Sequence, residues 1–443
     1  MRRFLSGIIG DEEQKIFVKL TSQTFVLRLF GMALLYANQV LMARLMGVSD
    51  YGDYTVIMTW INFLVALCMF GFDHGAQRFF SMLFAKHQWG KAKGFVRFSF
   101  RIIGVVSVLC MVAWFLFLWN KQSSANPYDR YPRTYSEAFF WSMFIIPLLA
   151  IVYQASALFR SMHRIKLSLV SIYLMLPIGI SVASFFYYRL NDGKMRVDAA
   201  VLMNLLCTFL VAWFMMRKVK KNLKPKYQLV PAEYETSLWF TAGMTYLAMN
   251  VLTLVIKQAD VLFVSHFMGH REAGIYSVAV KISALIPFGL TIVDYVFTPR
   301  ISSVFAKNDR AQLQQYISHA AKIVLLVTVP LSLVLIGAGK YLLMIFGSDF
   351  KASYLPLIIL IAGQLINALT GMVGPLMTMT GNQNIFLLIY VVASVIDLSL
   401  NYLLVPRMGA TGAAIASAIS VTVLNIIMYV LVWKKLRVKA SVF

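Results

Sequence analysis

The sequence predicts an all-α integral membrane protein of about twelve transmembrane helices in two pseudo-symmetric halves. Three observations carry that expectation. Of 443 residues, 60% are hydrophobic and 13% charged, with a mean hydropathy of +0.73; soluble domains hold about 45–50% apolar and roughly 25% charged residues. Twelve stretches each supply the approximately 20 apolar residues that a bilayer core requires. A motif beside the first of them recurs beside the seventh.

The spans fall near 22–46, 54–72, 95–119, 138–159, 167–188, 198–216, 238–268, 273–297, 318–338, 353–379, 385–405 and 410–433. Pro147, Pro177, Pro287, Pro330, Pro356 and Pro375 lie inside them. Membrane helices tolerate such prolines because neighbours satisfy the freed backbone groups. The apolar run in "MRRFLSGIIGDEEQK" is too short for a signal peptide. The first span therefore reads as an uncleaved insertion signal.

The net charge of +23 is explained by where the cations sit. With the N-terminus inside, 24 of 41 Lys and Arg residues fall in inner segments, 10 in outer loops and seven within spans. That bias predicts both ends in the cytoplasm and removes the case for a nucleic-acid partner. The richest inner run, "RKVKKNLKPK" (217–226), reads as a topology anchor in contact with anionic lipid. The expected organisation is a six-helix N-terminal lobe (1–216), a basic cytoplasmic linker (217–237), a six-helix C-terminal lobe (238–433) and a basic tail (434–443).

The repeat pairs "ANQVLMARLMGVSDYGDYTV" (37–56) with the stretch 222 residues later. Met46 and Gly47 fall on Met268 and Gly269; Gly52, Tyr54 and Val56 fall on Gly274, Tyr276 and Val278. Asp50 meets Glu272, and Asn38 meets Asp260. Six spans separate the copies, so both enter the membrane from one side. Parallel repeats of this kind place a substrate site between the halves.

These residues carry a family resemblance. "LMARLMGVSDYGDYTV" and "ADVLFVSHFMGHREAGIYSVAVKIS" resemble the motifs opening the two halves of polysaccharide-biosynthesis flippases. Those proteins belong to the multidrug/oligosaccharidyl-lipid/polysaccharide (MOP) exporter superfamily. "IFGSDFKAS" (345–353) and "NYLLVPRMGATGAAIASAIS" (401–420) are similar to their later landmarks. The resemblance implies the two-lobe fold of MATE and other MOP transporters, with lobes around a partly basic cavity, in a bacterial inner membrane. It implies transport, not catalysis, of an undecaprenyl-diphosphate-linked O-antigen or exopolysaccharide unit. Partners would be the bilayer, that glycan lipid and other polysaccharide-assembly proteins. The alternative is a MATE-like exporter of drugs or metabolites, for which an acidic, aromatic cavity is expected.

A charge at mid-membrane costs about 2.5–3.5 kcal/mol on insertion scales, so the seven intramembrane cations need reasons. Arg44, Arg97, Arg101 and Lys322 lie near helix ends and can snorkel. Arg28, Lys257 and Lys281 are harder to place this way, and with Gln39 and Asn38 they are the candidate substrate-binding set. Arg28 and Gln39, eleven residues apart, share a face of the first span. Lys257 and Asp260, at i and i+3, leave two readings open: an internal ion pair, or a cation for a diphosphate beside an acid that exchanges partners or protons. Asp260, Asp294 and Asp397 are the candidates for ion coupling or charge pairing, Asp294 with capping or gating as its rival role and Asp397, with Asn401 at i+4, with an interhelical hydrogen-bond role as its rival. Gly412, Ala416 and Ser420 recur every four residues as a packing face.

No G-x-x-x-x-G-K-[ST] or H-E-x-x-H occurs, and Cys68, Cys110 and Cys207 lie in apolar runs. His266 and His270 read as interfacial rather than metal-binding. No cofactor is expected, and the drive is left among a proton gradient, a sodium gradient and the membrane potential.

Overall fold

The computed structural model describes residues 11–123, 133–227, 230–287, 310–371, 373–379 and 383–436. Among them there are helices and no strand. The helices are α1 (Asp11–Met69), α2 (Trp89–Ser123), α3 (Arg133–Ser142), α4 (Ile145–Ser161), α5 (Ile165–Val170), α6 (Leu176–Leu190) and α7 (Val197–Tyr227), followed by α8 (Thr236–Met268), α9 (His270–Ser283), α10 (Arg310–Phe346), α11 (Tyr354–Leu369), α12 (Val373–Met379) and α13 (Gln383–Leu436).

Nine helical segments among the described residues are long and apolar enough to cross a membrane. Two of them, Val26–Met69 and Asn384–Lys435, each contain two of the expected spans, divided at Gly47 and Gly409. The expected span 273–297 runs into residues 288–309, outside the described residues. The helices present rows of bare apolar side chains, such as Val105, Val108, Leu109 and Val112 on α2 and Leu326 and Leu333 on α10. In water such rows would drive association; against lipid tails they are at equilibrium.

The sequence repeat is also a backbone repeat. Gly47 has φ 76° and ψ 175°, and Gly269 has φ 92° and ψ 166°. Both occupy the positive-φ region that glycine enters without a Cβ penalty, and both break one helix and start the next. Elsewhere proline sets the irregularity. A π-helical turn at Ser171–Met175 precedes Pro177, which has no N–H for the carbonyl four residues back.

The chain forms two compact units. One comprises Met1–Met42 and Leu67–Tyr246, the other Ala43–Ala66 and Leu247–Phe443. In the first unit, buried hydroxyls and amides tie helices together, as expected where lipid supplies no hydrophobic drive. Gln154 Nε2 donates to Ser99 Oγ (3.2 Å), Ser161 Oγ to the Ala76 carbonyl (2.8 Å), and the Ser156 and Ser168 hydroxyls pair. Trp114 stacks on Phe139 and donates its indole N–H to that residue's carbonyl (3.3 Å). The second unit has an apolar core of Ile256, Ile317, Val324, Leu376, Ile389 and Leu424. Gly363 of α11 lies so near Ala418 of α13 that a Cβ would stand 2.9 Å from its Cα.

Candidate functional site

The second unit contains the densest buried polar constellation among the described residues. Asp260 sits on α8, two turns before the Gly269 break, and is 2% exposed. The break folds α9 back alongside, which brings Tyr276 to it. Tyr276 Oη donates to Asp260 Oδ2 at 2.6 Å, Ser417 Oγ of α13 donates to the same oxygen at 3.0 Å, and the Val261 N–H donates to Oδ1 at 2.8 Å. Asp397, fully buried on α13, is in electrostatic range of Asp260 and in contact with the Ser420 hydroxyl. Asn401 Nδ2 reaches Asp397 Oδ2 at 3.3 Å. Asp397 Oδ1 and Asn401 Oδ1 are buried with no donor among the described residues. Two carboxylates from α8 and α13 thus share a pocket of hydroxyls that has acceptor oxygens to spare.

Lys257 is not part of that network. It is exposed, and no ion pair joins it to Asp260 among the described residues. The i, i+3 spacing places the two on neighbouring parts of α8, but Asp260 turns inward to hydroxyls and Lys257 turns out. Beside Lys257, Gln258 accepts from Asn62 Nδ2 at 3.3 Å. Lys281, on α9, donates to the Tyr51 hydroxyl at 2.8 Å. Tyr51 is fully buried with its ring edge against Phe350.

The turns after the paired glycines meet closely. A Cβ on Gly274 would stand 2.6 Å from Gly52 Cα, and one on Gly52 would collide with the His270 carbonyl. His270 Nδ1 lies 2.7 Å from Asp53 Oδ1, and Arg271 reaches Glu272 (3.0 Å) and Asp349 (3.2 Å). Arg44, expected to snorkel, instead caps the C-terminus of α10, donating to the Met344 and Ile345 carbonyls at 2.8 and 2.7 Å, where a cation also complements the helix dipole.

In the first unit, Asn38 is buried and donates to Ser181 Oγ (2.7 Å) and the Pro177 carbonyl (3.2 Å), tying α1 to α6. Arg28 and Gln39 are half-buried on α1. Asp294 lies outside the described residues. The structure therefore gathers Asp260 with Asp397, while Lys257 stands outside their hydrogen bonds. Sequence reasoning missed Tyr276, Ser417 and Tyr51, and it read Ser420 as packing alone. A hydroxyl in an apolar helix has no periodic signature; for Tyr276 the one available cue was its place in the repeat.

A profile of the polysaccharide biosynthesis protein family matches residues 41–355, most of the chain and both of the repeated turns. The chain belongs to that family. Among curated relatives, this polysaccharide biosynthesis protein is 25% identical over 166 residues to a probable low-salt glycan biosynthesis flippase, Agl15, of Haloferax volcanii; the match spans 37% of the chain and 35% of that relative. Two solved structures have the same fold. An inward-facing multidrug resistance MATE family transporter of the MOP superfamily superposes with a TM-score of 0.73 at 13% identity, over 92% of this chain and 94% of that one. The lipid II flippase MurJ in an inward closed conformation gives 0.70 at 15% identity, over 93% and 87%.

Proposed function

We propose that this polysaccharide biosynthesis protein flips an undecaprenyl-diphosphate-linked oligosaccharide, an O-antigen or exopolysaccharide unit, to the outer face of a bacterial inner membrane by alternating access. The observation that carries this reading is Lys257. Asp260, one turn along α8, is occupied by hydroxyls, and no partner holds Lys257 among the described residues, so the cation is offered to an anion from outside the chain. A diphosphate supplies that anion, and a fixed ammonium replaces part of its hydration while the lipid tail stays in the bilayer. Lys281 donates through Nζ to the Tyr51 hydroxyl. The family profile and the Agl15 likeness support a lipid-linked cargo over a free drug.

The membrane potential contributes to the drive. Moving two negative charges outward across 100 mV, cytoplasm negative, is favourable by about 4.6 kcal/mol. The Asp260–Asp397 pocket supplies a site for a proton or sodium ion that biases the cycle, since a hard cation is satisfied by carboxylate, amide and hydroxyl oxygens.

The test is the sidedness of the glycan lipid in the host. Deleting the gene should trap lipid-linked oligosaccharide on the cytoplasmic face. Wild type should clear it, and Lys257→Gln should clear it at least about tenfold more slowly with the protein at normal abundance, because Lys257 has no bond to lose among the described residues. Normal outward-facing oligosaccharide in the deletion, with no second flippase present, would favour the drug or metabolite exporter.

A further inference from the structure

A second polar cluster lies in the first unit, apart from Lys257 and Asp260. The chain leaves α1 through a left-handed corner at Phe70 (φ 48°) and Gly71 (φ 69°), a strained conformation for phenylalanine. Phe70 is held there by the Phe240 ring, 5.0 Å away, and by Gly243 on α8, whose missing side chain admits the Phe70 carbonyl. A helical turn Phe72–Gly75 and a π-helical turn Ala76–Phe80 follow. Together they point His74 and Arg78 at Tyr246. Arg78 Nη1 donates to Tyr246 Oη at 3.3 Å, and the His74 ring stacks on the Tyr246 ring at 5.4 Å. Asp73 Oδ2 stands 3.8 Å from His74 Nε2, and Gln77 donates to the Asp73 carbonyl. His74, Gln77 and Arg78 are all exposed.

Their depth makes that exposure informative. α8 has 33 residues, and about 20 suffice for the hydrocarbon core, so a core centred on the helix covers roughly 242–262. Tyr246 lies about one turn from the inner edge of that core, and Arg78, in the inner segment that follows the second expected span, reaches its hydroxyl from that edge. A guanidinium exposed at that edge faces the aqueous side and not lipid tails. π-turns in helices occur often at functional positions, and here the turn aims a guanidinium whose fork is used once among the described residues, by a tyrosine hydroxyl.

We propose that Arg78, positioned by Tyr246 and flanked by His74 and Gln77, is a binding station for the diphosphate of the lipid-linked cargo. A planar guanidinium with N–H groups to spare meets phosphate oxygens in pairs, and the Gln77 amide adds a donor beside it. The inference rests on the flippase reading. On the orientation given by the Lys/Arg distribution, the station lies toward the cytoplasmic side of the first unit.

The test uses the full-length protein in nanodiscs, with undecaprenyl diphosphate as the probe and undecaprenol as the control lacking phosphate. Wild type should bind the diphosphate. Arg78→Gln should bind it at least about tenfold more weakly and Arg78→Lys should recover part of the loss, as expected for a charge-assisted contact. Tyr246→Phe, which removes one hydroxyl and keeps the ring, should weaken binding several-fold through Arg78. Undecaprenol binding should be the same in all four proteins. Wild-type affinity for the diphosphate in Tyr246→Phe and in whichever Arg78 variants fold would overturn the station and leave the flippase reading standing. A wild type that does not bind the diphosphate would overturn both.

Discussion

Gly274→Ala is expected to destabilise the protein by about 1–3 kcal/mol, the range for forcing extra volume into a packed contact, and Gly52→Ala by a similar amount. At either position the new methyl would meet backbone, which cannot rotate away: Gly52 Cα at 2.6 Å for the first, the His270 carbonyl for the second. The neighbouring contacts are set by that approach. Asp53–His270 at 2.7 Å and Lys281–Tyr51 at 2.8 Å both join the segment after Gly47 to the segment after Gly269, so separating the turns strains a candidate substrate cation as well. Thermal unfolding of the purified protein is the readout. Gly104→Ala and Gly337→Ala are the controls, since a Cβ there meets nothing within 4 Å; in a helix interior each should be neutral or stabilising by roughly 0.5–1 kcal/mol. Gly52→Ala and Gly274→Ala proteins that melt with wild type would show that the two turns do not need this contact.

The second large effect is expected at the carboxylates. Asp260→Leu removes the acceptor for the Tyr276 hydroxyl, the Ser417 hydroxyl and the Val261 N–H. Each buried donor left unsatisfied costs about 1–3 kcal/mol, so this variant should accumulate poorly. Asp397→Asn is the cleaner probe, because it preserves shape and one acceptor while removing the charge. If Asp397 and Asp260 hold the coupling ion, Asp397→Asn should fold, and stimulation of transport by an imposed sodium or proton gradient should fall at least about tenfold. Gradient-stimulated transport at the wild-type rate in Asp397→Asn would assign the pair a structural role.

Much of this architecture was legible in the sequence because bilayers impose length and polarity rules with few exceptions. The apolar segments follow from composition alone. The repeat at Gly47 and Gly269 was visible as a pairing of letters and proves to be a pairing of backbone conformations, since the same positive-φ break demands the same residue. The site was legible in part. Asp260 and Asp397 stood out because carboxylates are rare in such helices, yet the sequence placed them on separate spans with no sign that they share a pocket. The Lys257–Asp260 ion pair was one of two readings that the i, i+3 spacing left open; among the described residues Asp260 bonds to hydroxyls and no ion pair joins it to Lys257. Tyr276 reaches the acid from 16 residues away because a glycine break folds α9 back. Arg78 and Tyr246, 168 residues apart, could be joined only by folding.

The most direct measurement is translocation by the purified protein. Proteoliposomes would carry a fluorescent undecaprenyl-diphosphate-linked disaccharide on one leaflet, with a potential set by a potassium gradient and valinomycin, and its appearance on the opposite leaflet would be followed by quenching. Wild type is predicted to move it faster than protein-free vesicles, faster still when the potential drives anions in the direction of transport, and Lys257→Gln is predicted to lose most of that rate. Wild-type vesicles that leave the glycolipid where it was placed, yet transport a cationic dye across the same membranes, would contradict the flippase and identify an exporter.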